Sequence, residues 1–165
     1  MTAPDLAALI RVLSADRVEF IIVGGIAATI HGSAHLTYDL DVVYHRTHEN
    51  IDRLVRALAP HQPYLRGAPP GLPFRFDADT VWRGLNFTLQ TTLGDVDLLG
   101  EVIGGGSYEQ LLQTSETARV FGYDVTCVTL QRLIALKRAA GRRKDLNVLA
   151  ELEALLDERG RREDA

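Results

Sequence analysis

Asp39 and Asp41 stand one residue apart in the apolar run "YDLDVVYH". On a strand, alternate side chains share a face, so both carboxylates point one way and Leu40 and Val42 the other. Two such charges about 4 Å apart repel by about 4 kcal/mol at an intermediate dielectric. A cation or a shared proton offsets that repulsion, and a divalent metal with oxygen ligands is the natural candidate. The alternative is a solvated pair at a strand end, and the D-x-D spacing alone favours it.

Three further features move the balance toward a site. The apolar run "VEFIIVGG" ends on Gly24-Gly25, where a helical piece begins. Glycine lets a backbone approach a phosphate closely, and a helix start supplies free N–H groups. The run "GDVDLLGEV" places Asp95 and Asp97 on one face of a second acidic strand. Asp95 follows a turn glycine and is explained by that alone. Asp97 lies deeper in the apolar run and completes a three-carboxylate set if the two strands are neighbours. Lys137 falls on the helical stripe of Leu130, Leu133 and Ile134, and Asp145 on that of Val148, Leu149, Leu152 and Leu156. Snorkelling accounts for the lysine and the helix dipole for the aspartate. Neither account explains why both charges face inward.

The elements that must position these residues follow from periodicity. Leu6, Leu9, Ile10 and Leu13 predict a first helix. "VEFIIV" predicts a buried strand, "IAATIHGS" a short helix, and "YDLDVVYH" a second strand. "ENIDRLVRALAP" is helical up to Pro60. "HQPYLRGAPPGLPF", with four prolines and two glycines, is a loop. "LNFTLQT" and "DVDLLGEV" are strands around the turn "TLGD", "YEQLLQT" is a short helix, and "YDVTCV" is the last strand. Thr129 caps the helix that follows, and "LNVLAELEALLDE" is the closing helix. The order predicts an α+β (mixed α/β) fold: a small mixed sheet flanked by helices, one domain over 1–165 with its core at about 18–128 and a helical part at about 129–158.

Composition narrows the classes. With 46% hydrophobic and 24% charged residues the chain has the balance of a soluble globular domain. Cys127 is the only cysteine, so no internal disulfide forms, and a reducing cytoplasm is the expected setting. No apolar run approaches the roughly 20 residues that span a bilayer, so no membrane association is expected. "MTAPDLAALIRVLSADR" carries Asp5 and Arg11 inside its apolar pattern, which suits an amphipathic helix rather than a signal peptide. The net charge of −4 argues against a broad nucleic-acid surface. "KRAAGRRK", however, concentrates five of the eighteen basic residues between Lys137 and Lys144. That patch is either a solvated helix end or a phosphate contact. His31 and His35 are separated by Gly32 and lack an H-E-x-x-H pattern, so His31 reads as a packing residue rather than a zinc ligand. "GGIAAT" lacks the later glycines of a dinucleotide-binding turn.

Taken together, Gly24-Gly25-Ile26-Ala27, His31-Gly32, Thr37-Tyr38-Asp39-Leu40-Asp41 and Val96-Asp97-Leu98 resemble the motifs of the nucleotidyltransferase superfamily with the DNA-polymerase-β-like fold. "LIALKRAAGRRKDLNVL" resembles the closing motifs of abortive-infection and related toxin–antitoxin nucleotidyltransferases, through Lys137, Arg142, Lys144 and Asp145. His35 stands where the family often carries arginine, and Asn147 where a second acid is common. The resemblance implies transfer of a nucleoside monophosphate from an NTP such as ATP to an acceptor hydroxyl. It implies Asp39, Asp41 and Asp97 as ligands of Mg²⁺ or Mn²⁺ and as catalytic groups with Lys137. It implies Gly24, Gly25, Ser33, Thr37, Lys137 and Asp145 around the nucleotide. The acceptor is a tRNA, a protein or a small molecule, and the partner a cognate toxin or antitoxin. The alternative is a catalytically inert, antitoxin-like domain that binds nucleotide or a partner.

Overall fold

A computed structural model describes residues 3–165. Helix α1 (Leu6–Ala15) buries Leu9, Ile10 and Leu13, and the Asp5 carboxylate caps it by accepting from the Ala8 N–H at 2.9 Å. All four residues of β1 (Phe20–Val23) are buried, as expected of a strand covered on both faces. Helix α2 (Gly24–Ile30) begins on the glycine pair itself. Strand β2 (Asp39–Tyr44) carries the two aspartates half-buried and Leu40, Val42, Val43 and Tyr44 buried. Helix α3 (His48–Leu58), capped by Thr47, follows.

Next come β3 (Tyr64–Leu65), α4 (Ala78–Arg83), β4 (Phe87–Thr91) and β5 (Gly94–Leu99). A separate hairpin of β6 (Glu101–Val102) and β7 (Gly106–Ser107) leads to α5 (Tyr108–Leu112), β8 (Ser115–Val120) and β9 (Tyr123–Val128). Helices α6 (Leu130–Ala140) and α7 (Leu146–Glu163) close the chain. Thr129 caps α6 as predicted, accepting from the Arg132 N–H at 3.2 Å. Among the described residues, no helix is long and apolar enough to cross a membrane.

The main sheet has seven strands in the order β3-β4-β5-β2-β1-β9-β8. The pairs β2/β5 and β1/β9 are parallel, and the others antiparallel. This is the predicted α+β fold with a mixed sheet between helices. Strands β1 and β2, joined through α2, run antiparallel. A dinucleotide-binding βαβ unit needs parallel strands across its helix, so this topology removes that reading of the glycine pair.

Four strands or α-helices appear where the sequence predicts none. Strand β3 lies inside the proline-rich loop, α4 follows it, β7 falls in the glycine-rich break before α5, and β8 precedes the last predicted strand. Each is short or lies at a sheet edge. Only Val81 of α4 is buried, and no residue of β8 is, so neither carries an apolar period.

Helix α2 packs on β1 and β2 and touches α6, which packs on α7. That chain of contacts sets α6 against the sheet beside the aspartate strands. At the opposite end of β2, the fully buried Asn50 amide ties α3 to the sheet. Its oxygen accepts from the Glu19 N–H at 2.7 Å, and its nitrogen donates to the carbonyls of Glu19 and His45 at 3.0 and 2.9 Å. A buried amide with its polar atoms engaged in this way fixes the strand ends rather than weakening the core.

Candidate active site

The parallel pairing of β2 and β5 sets Asp39 opposite Asp95 and Asp41 opposite Asp97. Leu40, Val42, Val96 and Leu98 fill the core on the other face. Carboxylate oxygens of Asp39, Asp41 and Asp97 all lie within 4.8 Å of one another. The register thus does what neither strand does alone: it gathers one carboxylate pair and the deeper member of a second.

Asp41 is crowded by the other two carboxylates. Burial, then the charge and hydrogen bond of Asp97, then the charge of Asp39 push its carboxyl up to about 7, against a smaller opposing effect of Lys137. Gly24 makes room for it. A Cβ added at Gly24 would lie 2.0 Å from Asp41 Oδ2, and Gly24 has φ +66°, which L side chains rarely adopt. Gly24→Ala is expected to cost about 2 kcal/mol or more from backbone strain and to push the Asp41 carboxylate out of place. Thermal denaturation with and without Mn²⁺ measures both effects. An unchanged melting temperature would show that the close approach of backbone and carboxylate is not fixed.

The neighbouring Gly25 meets Thr37, whose Oγ1 would lie 2.4 Å from an added Cβ. Thr37 donates to the Asp39 carbonyl at 3.3 Å and so shapes the start of β2. Gly24 lines the cleft in front of the carboxylates, while Gly25, Ser33 and Thr37 are not among its lining residues. The Ser33 hydroxyl, buried, donates to Glu151 of α7. His35 Nδ1 lies 3.1 Å from the same carboxylate, and the Ala34 N–H donates to it at 3.2 Å. Hydrogen bonds from Ser33, Ala34 and His35 hold the Glu151 carboxyl below its usual range. His35 is therefore part of a latch between the loop before β2 and α7. His31 is buried, with Nε2 2.7 Å from the Val128 carbonyl, as expected of a packing residue.

Lys137 and Asp145 line the same cleft, of about 370 Å³, together with Arg142 and Lys144. Lys137 Nζ donates to Asp145 at 3.3 Å, and Arg142 Nε donates to its other oxygen at 2.9 Å. Burial opposes the charge on Asp145, yet Lys137 and then Arg142 hold its carboxyl below the ordinary value. Asp145 stands at the start of α7 without capping it, so its side chain serves the two cations rather than the helix end. The basic run beside α6 is thus partly a cleft wall and not only a solvated face.

Sequence reasoning missed Arg66. It follows β3 and reaches over the carboxylates, donating from Nη2 to Asp97 at 2.8 Å. Its Nε lies 3.1 Å from Asp95 without hydrogen-bond alignment, and Nη1 lies 3.9 Å from Asp39. The donor set suits a hard divalent cation, being all carboxylate oxygen. Two observations support that fit: carboxylate oxygens of three residues converging within 4.8 Å, and a guanidinium drawn onto two of the same residues. Asp39, Asp41 and Asp97 are the residues that could hold the ion.

The mixed sheet carries three clustered carboxylates on its parallel central pair, with Lys137 of α6 lining the same cleft, and a solved structure shares this fold. The crystal structure of a candidate nucleotidyltransferase from Thermotoga maritima superposes with a TM-score of 0.56 over 88% of each chain, at 13% identity. At that identity the likeness speaks for the fold alone. No protein-family model and no curated protein matches the chain.

Proposed function

We propose that the protein is a metal-dependent nucleotidyltransferase that moves a nucleoside monophosphate from an NTP to an acceptor hydroxyl. The observation that carries this reading is the convergence of Asp39, Asp41 and Asp97 within 4.8 Å, in a cleft that also holds Lys137. Asp39, Asp41 and Asp97 would hold Mg²⁺ or Mn²⁺. A divalent ion bound there supplies charge that stabilises the attacking and leaving oxygens of an in-line displacement.

The chain's own groups do the rest. Gly24 keeps backbone bulk away from the carboxylates. Lys137 Nζ faces the triphosphate with positive charge, and Asp145 fixes its position. Asp97 accepts the proton of the acceptor hydroxyl as that oxygen bonds to the α-phosphorus. The bond from the α-phosphorus to the bridging oxygen breaks, and pyrophosphate leaves. The acceptor is a tRNA end, a protein side chain or a small molecule, and a role as the enzyme of a toxin–antitoxin pair follows from the resemblance of the closing motif.

A second reading, an inert domain that binds nucleotide or a partner protein, is favoured by one observation: Arg66 already neutralises part of the triad. Incubation with each α-labelled NTP, Mg²⁺ and total tRNA or lysate separates the two. Label transfer that disappears in Asp39→Ala supports the transferase. Nucleotide binding without transfer to any acceptor favours the inert domain, and the lack of metal-dependent NTP binding by calorimetry sinks the transferase.

A further inference from the structure

Arg66 is built into its position. Its backbone N–H donates to the Thr88 carbonyl at 3.0 Å, and Nη2 donates to the Leu89 carbonyl at 2.9 Å as well as to Asp97. These anchors come from β4, the strand beside β5, so the side chain lies along the sheet and its guanidinium ends over the carboxylate face. It spans Asp39, Asp95 and Asp97. Its side chain is 26% exposed, which removes it from most of the screening that weakens surface pairs.

Asp97 and Asp39 are two of the three residues that could hold a divalent ion, and the guanidinium meets both. An arginine stays charged at any working pH, so it cannot vacate these oxygens by losing a proton. A positive group a few ångströms from the same oxygens repels an incoming divalent ion and competes for their lone pairs.

Building on the metal-dependent reading above, we propose that Arg66 is an internal counter-ion that competes with the divalent ion for Asp97 and Asp39. It holds the acidic cluster together in the metal-free protein and lowers metal affinity by doing so. Loading the site requires the guanidinium to leave Asp97. The two roles make opposite demands on a variant: removing the charge weakens the metal-free fold and tightens metal binding. A purely structural arginine predicts the first effect without the second.

The experiment is a Mn²⁺ titration of the full-length, chelator-stripped protein, read by the electron paramagnetic resonance of free Mn²⁺. It compares wild type, Arg66→Met, Arg66→Gln and Asp97→Asn, with melting in EDTA alongside. Arg66→Met is expected to bind Mn²⁺ at least about tenfold tighter and to melt lower in EDTA. Arg66→Gln, which keeps a donor for the Leu89 carbonyl, tests the same change if Arg66→Met does not fold. Wild-type binding that is lost in Asp97→Asn, with equal or weaker binding in the arginine variants, overturns the counter-ion role and leaves the metal site standing. Failure of wild type and the arginine variants alike to bind Mn²⁺ overturns the metal reading, and the counter-ion role with it.

Discussion

Asp41→Asn is expected to raise the melting temperature at pH 8 in EDTA while removing the stabilisation that divalent ions give the wild type. Burial, and then Asp97 and Asp39, push the Asp41 carboxyl up to about 7 from 3.8. Between these values the folded protein keeps a proton that the unfolded chain has released. Unfolding then releases protons, so stability falls as pH rises through this window, and the full penalty remains above it. At pH 5 the native carboxyl is already protonated, and an amide in its place changes little. At pH 8 the amide removes a charge that Asp97 and Asp39 repel.

Discounted for water at the cleft mouth, the gain is about 1–3 kcal/mol, or several degrees in a chain of this length. The wild type regains that stability when Mg²⁺ or Mn²⁺ binds, because an ion that binds only the folded state raises its melting point. The variant lacks the ligand and should not respond. Melts from pH 5 to 8, with EDTA and with Mn²⁺, test both halves. A variant that melts below wild type at pH 8 in EDTA would show that the carboxylates are not held in mutual repulsion.

This behaviour was legible in part. The period-2 spacing of Asp39 and Asp41, and of Asp95 and Asp97, places each pair on one face whatever the sheet order. What brings the pairs together is the parallel register of β2 and β5, reached through α3, β3, α4 and β4. Nothing in either strand specifies that partner, so the triad could be expected only on the condition that the strands are neighbours. Arg66 was hidden for a different reason. A two-residue strand inside a proline- and glycine-rich segment has no periodicity to read, and a charged residue there looks like ordinary solvated loop. Ser33 and His35 reach Glu151 over more than a hundred residues, a pairing with no local signal. Lys137 and Asp145 were legible because a charge on an apolar helical stripe needs a partner, and each proved to be the other's.

That pairing carries the second large prediction. Asp145→Ala leaves Lys137, its side chain only 13% exposed, with no other ion pair within 4 Å among the described residues, Asp41 acting on it only from farther across the cleft. Breaking a buried pair from one side costs about 3–5 kcal/mol, so a fall of roughly ten degrees or more in melting temperature is expected. Lys137→Met should cost less, because Asp145 keeps Arg142 at 2.9 Å. The double variant Lys137→Met/Asp145→Leu should recover much of the loss, since two apolar side chains replace a buried pair without stranding either charge. The recovery separates fold from function. If Lys137 served only to satisfy Asp145, a restored double variant would bind NTP as the wild type does. With Lys137 facing the triphosphate, the double variant should fold, melt near wild type and still bind NTP poorly in calorimetry. A stable double variant with wild-type NTP affinity would move Lys137 out of the site and leave it a structural partner of Asp145 alone.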